Sequence, residues 1–365
     1  MKLLICASEY PPYGSGIGNV IYNVIVQLRK KGVECTVCSP TGPDIRLGSK
    51  ELIKKFGILG LLYFWYRVSR FFKETNDYDV VWIQNPLFLT ESPFKKKCLA
   101  TMHYTYFGDV KRKVNPRIYY LFASKIEKFC MKKIRNNTIS CVSQQLCKEM
   151  SEIGTDFKSC KSILNGVDIE KFSTRPRGTT REDLKIGSGY VLLCVGRLAP
   201  NKFVNVVVKS MPDILKRHKN TKLLIVGDGP QKNYLMNLAK EIGTSRSTLF
   251  CGIQSNDIIQ NYYAVADIVI CPYSGLVLFE AMAAGKPIVA FDLEWHSEVI
   301  TNLKNGILVE SKNEHALAQG IIQLLDNAEL KRNLGRDAQK YAIKYLDWRI
   351  ISQRYFEEFD ALIKD

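Results

Sequence analysis

The chain has 365 residues, 46% of them hydrophobic and 24% charged, with a formal net charge of +16. That length suits two domains, and the composition excludes a disordered, collagen-like or low-complexity chain. No run reaches the roughly 18 uncharged apolar residues of a spanning helix, and the apolar start Leu3 to Ala7 is too short for a signal peptide, so a cytoplasmic protein is expected.

The first half opens with the apolar strand KLLICAS. A glycine-rich turn follows, then NVIYNVIVQLRKKG, where Val20, Ile21, Val24, Ile25 and Leu28 repeat at helical spacing and Gly32 suits a C-cap. VECTVCS, DVVWIQ, CLATMH, NTISCVS and KSILN read as further strands with helices between them. The rhythm restarts with YVLLCVG, TKLLIVG, STLFCG, DIVICP, KPIVAF and GILVE, again separated by helical segments. Short buried strands alternating with helices imply parallel sheets covered on both faces. The polar stretch STRPRGTTREDLKIGS marks a boundary. The reading is two doubly wound α/β domains, over 1–175 and 176–345, with a C-terminal helix over 346–365 that can pack back on the first. In such sheets ligands bind beyond the carboxyl ends of the strands, so the site is expected in the cleft between the domains.

Charge is unevenly spread. Residues 1–180 hold 29 Lys and Arg against 15 Asp and Glu, which accounts for nearly all of the excess. An anionic partner on that half follows. Residues 50–73, KELIKKFGILGLLYFWYRVSRFFK, mix Lys and Arg with Phe64, Trp65 and other aromatics. They suit an interfacial helix or helix pair on an anionic bilayer, or else a core helix with a solvated basic face. Lys95, Lys96, Lys97, Lys111, Arg112 and Lys113 add basic charge to the same half. No nucleic-acid reader motif is present. The eleven cysteines are scattered, as in a reducing compartment, and Cys35-x-x-Cys38 reads as strand filler, because no second pair or histidine completes a site.

Four stretches carry chemistry. Gly14-Ser15-Gly16-Ile17-Gly18 stands between a strand and a helix, where backbone N–H groups can approach an anion; a tight turn without ligand is the plainer reading. Arg197 and Lys202 in VGRLAPNK sit on the loop after a strand, where a fork and a point charge suit a diphosphate, or form a solvated pair. Asp228 in VGDGP reads as a turn residue. Glu280 stands among apolar and small residues and needs a partner, either a ribose diol or a buried cation.

These phrases together resemble retaining glycosyltransferases of family 4 (glycosyltransferase group 1), which have the GT-B fold of two Rossmann-like domains. The resemblance rests on VGRLAPNK, LLIVGDGP, ADIVICP, LFEAMAAGKPIVA and NGILV, with PPYGSGIGN, His103, CVSQ and LNGVDIEKF in the first half. It implies that Arg197 and Lys202 hold the donor diphosphate and stabilise its leaving charge. It implies that Glu280 binds the nucleotide ribose, that Gly16 closes over phosphate and sugar, and that His103 lies near the transferred sugar. The backbone amides of Gly275 and Leu276 would face the donor. One feature departs from the family, whose Glu-x7-Glu pattern has an acid where Pro272 stands here; Ser274 cannot replace its charge. No Asp-x-Asp stands at a plausible strand end, so no metal and no cofactor is expected. The implied reaction moves a hexose-type sugar from a UDP- or GDP-sugar to a lipid-linked or glycan acceptor, on the inner face of the cell membrane. A soluble transferase for a small sugar and a non-catalytic nucleotide-sugar-binding subunit are the alternatives.

Overall fold

The computed structural model describes residues 1–11, 16–73, 77–94, 97–112, 118–154, 159–173, 181–183, 186–255, 257–273 and 275–364. The chain forms two compact units, Met1–Gly166 with Trp348–Asp365, and Val167–Asp347. It divides at Gly166 and Asp347 rather than at 175 and 345. Gly166 lies so close to Trp348 that a Cβ would come within 2.4 Å of the indole. Val167 N donates to Leu346 O at 2.7 Å on the second unit. The two chain crossings thus run side by side, ahead of the polar stretch expected to hold the boundary.

The first unit carries β1 (Lys2–Cys6), β2 (Glu34–Ser39), β3 (Ile45–Arg46), β4 (Val80–Gln84), β5 (Cys98–Met102), β6 (Thr138–Cys141) and β7 (Ser159–Ser162). Their order is β3-β2-β1-β4-β5-β6-β7 and every pairing is parallel. Both faces of β4 and β5 are buried, which is why VVWIQ and CLATM read as continuous apolar runs. Only β3 was not anticipated; at two residues on the sheet edge it has no periodicity to read.

The second unit carries β8 (Tyr190–Val195), β9 (Thr221–Val226), β10 (Thr248–Gly252), β11 (Ile268–Cys271), β12 (Ile288–Phe291) and β13 (Ile307–Val309), in the order β10-β9-β8-β11-β12-β13, again all parallel. Strand order reverses between β1 and β4 in one sheet and between β8 and β11 in the other. Loops at these reversals splay apart at the carboxyl ends and leave a crevice there.

The helix Trp348–Lys364 belongs to the first unit. Its Tyr355 and Phe359 rings stand 4.8 and 5.7 Å from Trp82 of β4. No helix among the described residues is long and apolar enough to cross a membrane.

Candidate active site

In the second unit the site is built on the loops that leave β8 and β11. After β8 the chain turns through Gly196 and Arg197 into the 3-10 turn Pro200–Lys202. Phe203 then takes a left-handed conformation before the helix Val204–Arg217. The turn lies against Gly227-Asp228-Gly229. Gly196 N donates to Val226 O at 2.9 Å and Leu198 N to Asp228 O at 2.9 Å. A Cβ on Gly227 would lie 1.9 Å from Gly196 O, so glycine is required by backbone approach as well as by its φ of 140°. Asp228 accepts from Lys232 Nζ and Gly229 N, which hold its carboxyl below the usual range. It is a turn residue, as its place in GDGP suggests.

Lys202 is half-buried. Its Nζ donates to Tyr273 O at 3.3 Å and stands 4.6 Å from the centre of the Tyr273 ring. That contact joins the β8 loop to the β11 loop, where Pro272, Tyr273 and Gly275 lead into the helix Leu276–Ala283. Arg197 is exposed on the same loop; its backbone O accepts from Ala199 N at 2.9 Å, and its guanidinium has no hydrogen-bond partner among the described residues. Gly275 is the N-cap of the helix, is exposed, and has no atom within 4 Å of where its Cβ would be; Leu276 is the first helical residue. The opening N–H groups of that helix have no partner within it. Ser274 lies outside the described residues.

Glu280 is one turn further along this helix. Its Oε2 accepts from Tyr263 Oη at 2.7 Å, and Oε1 has no hydrogen-bond partner among the described residues. Desolvation raises its carboxyl above the ordinary range, opposed by Tyr263 and by the charge of Lys171. Tyr263 is buried, with Phe172 edge-on at 5.4 Å. Neither Tyr263 nor Lys171 carried a signal in the sequence. Beside the same loop, Tyr273 Oη donates to Glu294 Oε1 at 2.8 Å. Glu294 follows β12, has a φ of 54°, and brings a carboxylate to the carboxyl end of the sheet although Pro272 occupies the family's acidic position.

In the first unit Gly16 opens the helix Gly16–Lys30 after β1, and a Cβ there would meet nothing within 4 Å. Residues 12–15 of the glycine turn are outside the described residues. His103 follows β5 and is half-buried. Its backbone N donates to Asn85 Oδ1 at 2.7 Å and its Nε2 lies 2.8 Å from Gln84 Oε1. An amide oxygen accepts, so Nε2 carries the proton and Nδ1 is left as acceptor. Desolvation lowers the imidazole to about 3, so the ring is neutral. Gln84 ends the neighbouring strand β4 and Asn85 follows it, a pairing across the sheet that sequence spacing does not show.

Residues 50–73 form two helices, Lys50–Phe56 and Ile58–Phe71, broken at Gly57. Phe64 and Trp65 are fully buried, with Trp65 edge-on to Phe88 at 5.0 Å. They belong to the core and are unavailable to a bilayer. Exposed apolar residues include instead Phe56, Leu59, Tyr63, Tyr66 and Phe71, and on the helix Ile118–Met131, Ile118, Leu121, Phe122 and Phe129. Tyr119 accepts from Ile58 N through its hydroxyl at 2.8 Å, so the two helical faces adjoin. Lys54, Lys55, Arg67, Arg70 and Lys125 are exposed beside them; Lys95, Lys96 and Lys113 lie outside the described residues. Cys35 and Cys38 sit on β2 three residues apart, hence on opposite faces.

Residues 14–171 match the family model of glycosyltransferase family 4, and residues 177–341 that of the glycosyl transferases group 1. The chain is similar to an uncharacterised glycosyltransferase of Methanocaldococcus jannaschii, with 31% identity over 222 residues, 58% of this chain and 57% of that one. It is also similar to the GDP-mannose-dependent alpha-(1-6)-phosphatidylinositol monomannoside mannosyltransferase of Mycobacterium tuberculosis, 26% identical over 202 residues, 52% of each chain. The matched stretch thus spans about half the length of these relatives. Among solved structures, Anabaena HepE in complex with UDP superposes with a TM-score of 0.76 at 19% identity, over 99% of this chain and 100% of that one. With both halves matched in order and two parallel Rossmann-like sheets, the chain belongs to the group 1 glycosyltransferases of family 4 and has the GT-B fold.

Proposed function

We propose that the chain is a retaining hexosyltransferase. It moves a sugar from a UDP- or GDP-sugar to a lipid-linked or glycan acceptor on the inner face of an anionic membrane. No metal ion takes part in the transfer. The observation that carries this reading is the contact of Lys202 with Tyr273, which joins a loop bearing two cations to the start of the helix that holds Glu280.

In this reading Arg197 grips the donor diphosphate as a fork, and Lys202 adds a point charge. As the bond from the anomeric carbon to the diphosphate breaks, both cations and the N–H groups of Gly275 and Leu276 take up the leaving charge. The acceptor oxygen bonds to the anomeric carbon on the same face, and its proton passes to the departing phosphate. Glu280 keeps Oε1 for the ribose hydroxyls while Tyr263 fixes Oε2. Gly16 is assigned to the donor phosphate and neutral His103 to the sugar hydroxyls. Glu294 supplies the carboxylate that Pro272 does not, held by Tyr273.

Two relatives bear on the ligands. The mycobacterial enzyme is GDP-mannose-dependent and acts on a phosphatidylinositol mannoside, and the HepE structure holds UDP. The exposed apolar and basic side chains on Lys50–Phe56, Ile58–Phe71 and Ile118–Met131 support a membrane-borne acceptor. A thermal-shift screen over UDP- and GDP-sugars, followed by transfer to a lipid extract, tests the reading. Stabilisation by one nucleotide class and release of its diphosphate only with lipid present are expected. Binding without turnover on any acceptor would favour a nucleotide-sugar-binding subunit.

A further inference from the structure

We propose that Cys141, Cys147 and Cys160 form a binding site for a soft, thiophilic metal ion of the Zn2+, Cd2+ or Cu+ class, using none of the residues assigned to transfer. Cys141 ends β6, Cys160 lies on the edge strand β7, and Cys147 is on the helix Gln144–Glu152, which packs against both strands. The three Sγ atoms lie within 4.8 Å of one another, with Cys141 Sγ 3.5 Å from Cys160 Sγ. Sulfurs around one tetrahedral ion at bond lengths of about 2.3 Å stand about 3.8 Å apart. Shifts of about 1 Å or less therefore convert the cluster into a ligand set, and thiolates select such ions over Mg2+ or Ca2+.

A disulfide is the competing arrangement. In the parallel pairing of β6 with β7, Cys141 faces Ser162 and Cys160 faces Ile139. The two cysteines are thus offset by two positions, which puts their Cα atoms about 8 Å apart, beyond a relaxed disulfide. Such a bond would also leave the third sulfur out. Cys147 and Cys160 are half-buried, which gives an ion a way in, and Cys141 is buried. No His, Asp or Glu among the described residues joins the set, so a fourth position is open to water. Each thiol that ligates exchanges S–H for S–metal and releases one proton. The bound ion ties the edge strand to the helix that follows β6.

Reduced, metal-stripped protein titrated with Cd2+ tests this. The expected result is an ultraviolet thiolate-to-metal band that saturates at one equivalent. Alkylation of Cys147 and Cys160, mapped by mass spectrometry, should slow at least tenfold, while half-buried Cys251 reacts as before. Cys147→Ser and Cys160→Ser should each lose the band, and Cys251→Ser should keep it. Unprotected Cys147 and Cys160 in the unaltered protein would overturn the site even if neither variant folded. So would a Cys141–Cys160 disulfide forming in its place when the reductant is removed in the presence of Cd2+.

Discussion

Tyr263 donates its hydroxyl to Glu280 Oε2 at 2.7 Å, and Oε1, the oxygen proposed to take the ribose, has no hydrogen-bond partner among the described residues. Glu280→Gln removes the charge that strengthens hydrogen bonds from two hydroxyls, a loss of about 1.5–3 kcal/mol, and should weaken nucleoside diphosphate binding by roughly tenfold or more. Tyr263→Phe strips a buried carboxylate of its donor and should cost about 1–3 kcal/mol of stability. Calorimetric titration beside melting curves separates the two effects. A Glu280→Gln variant that melts early but binds normally would make Glu280 a purely structural residue.

His103 is held neutral, with burial lowering its imidazole to about 3. The unfolded chain binds a proton on this ring below about 6.5. Between that value and about 3 the unfolded state therefore carries more protons, and stability rises with pH. The contribution is present above the unfolded value and lost as pH falls. His103→Gln should flatten stability against pH over that window. The pH profile of kcat/KM should show no histidine limb between pH 5 and 8; a limb that disappears in His103→Gln would contradict the neutral ring.

The helix Ile58–Phe71 carries two interleaved apolar stripes. Ile58, Leu62 and Trp65 are buried, and Leu59, Tyr63 and Tyr66, one position on, are exposed. Leu59→Ser with Tyr66→Ser should remove the salt-resistant part of binding to anionic vesicles and leave the melting temperature nearly unchanged. Trp65→Ala should instead destabilise the first unit by about 3–5 kcal/mol. Flotation at low and high salt checks this. Unaltered protein that fails to float with anionic vesicles at low salt would favour a soluble acceptor.

Those stripes also mark where the sequence stops being legible. Aromatic and basic composition identified residues 50–73 as unusual, but with both stripes apolar only packing against Phe88 decides which one is core. The strands were readable because buried parallel strands are apolar on both faces. Arg197, Lys202 and Glu280 stood out as candidates because they sit in contiguous phrases at strand ends and on one helix. Tyr263, Gln84 and Glu294 were not. Each meets its partner through the order of strands or the return of a helix, 17 to 21 positions away in the sequence. The break at Gly166 was likewise hidden, since it depends on Trp348 from the far end of the chain.

On the proposed roles of Arg197 and Lys202 as the groups that take the leaving charge, transfer should persist in EDTA; no Asp-x-Asp stands at the carboxyl end of a strand, since Asp77-Tyr78-Asp79 precedes β4 at its amino end. Turnover lost on chelation and restored by Mg2+ or Mn2+ would contradict this. Restoration by Zn2+ alone, at one equivalent and blocked in Cys147→Ser, would point to the thiol cluster.

The most direct test of the account is calorimetric titration of UDP and GDP into the unaltered protein, Arg197→Ala and Lys202→Ala. The account predicts binding of one of the two nucleotides, weakened at least tenfold in each variant, since a charge-assisted hydrogen bond contributes about 1.5–3 kcal/mol. Equal affinity in all three proteins, with both variants folded, would contradict the assignment of these cations to the donor diphosphate.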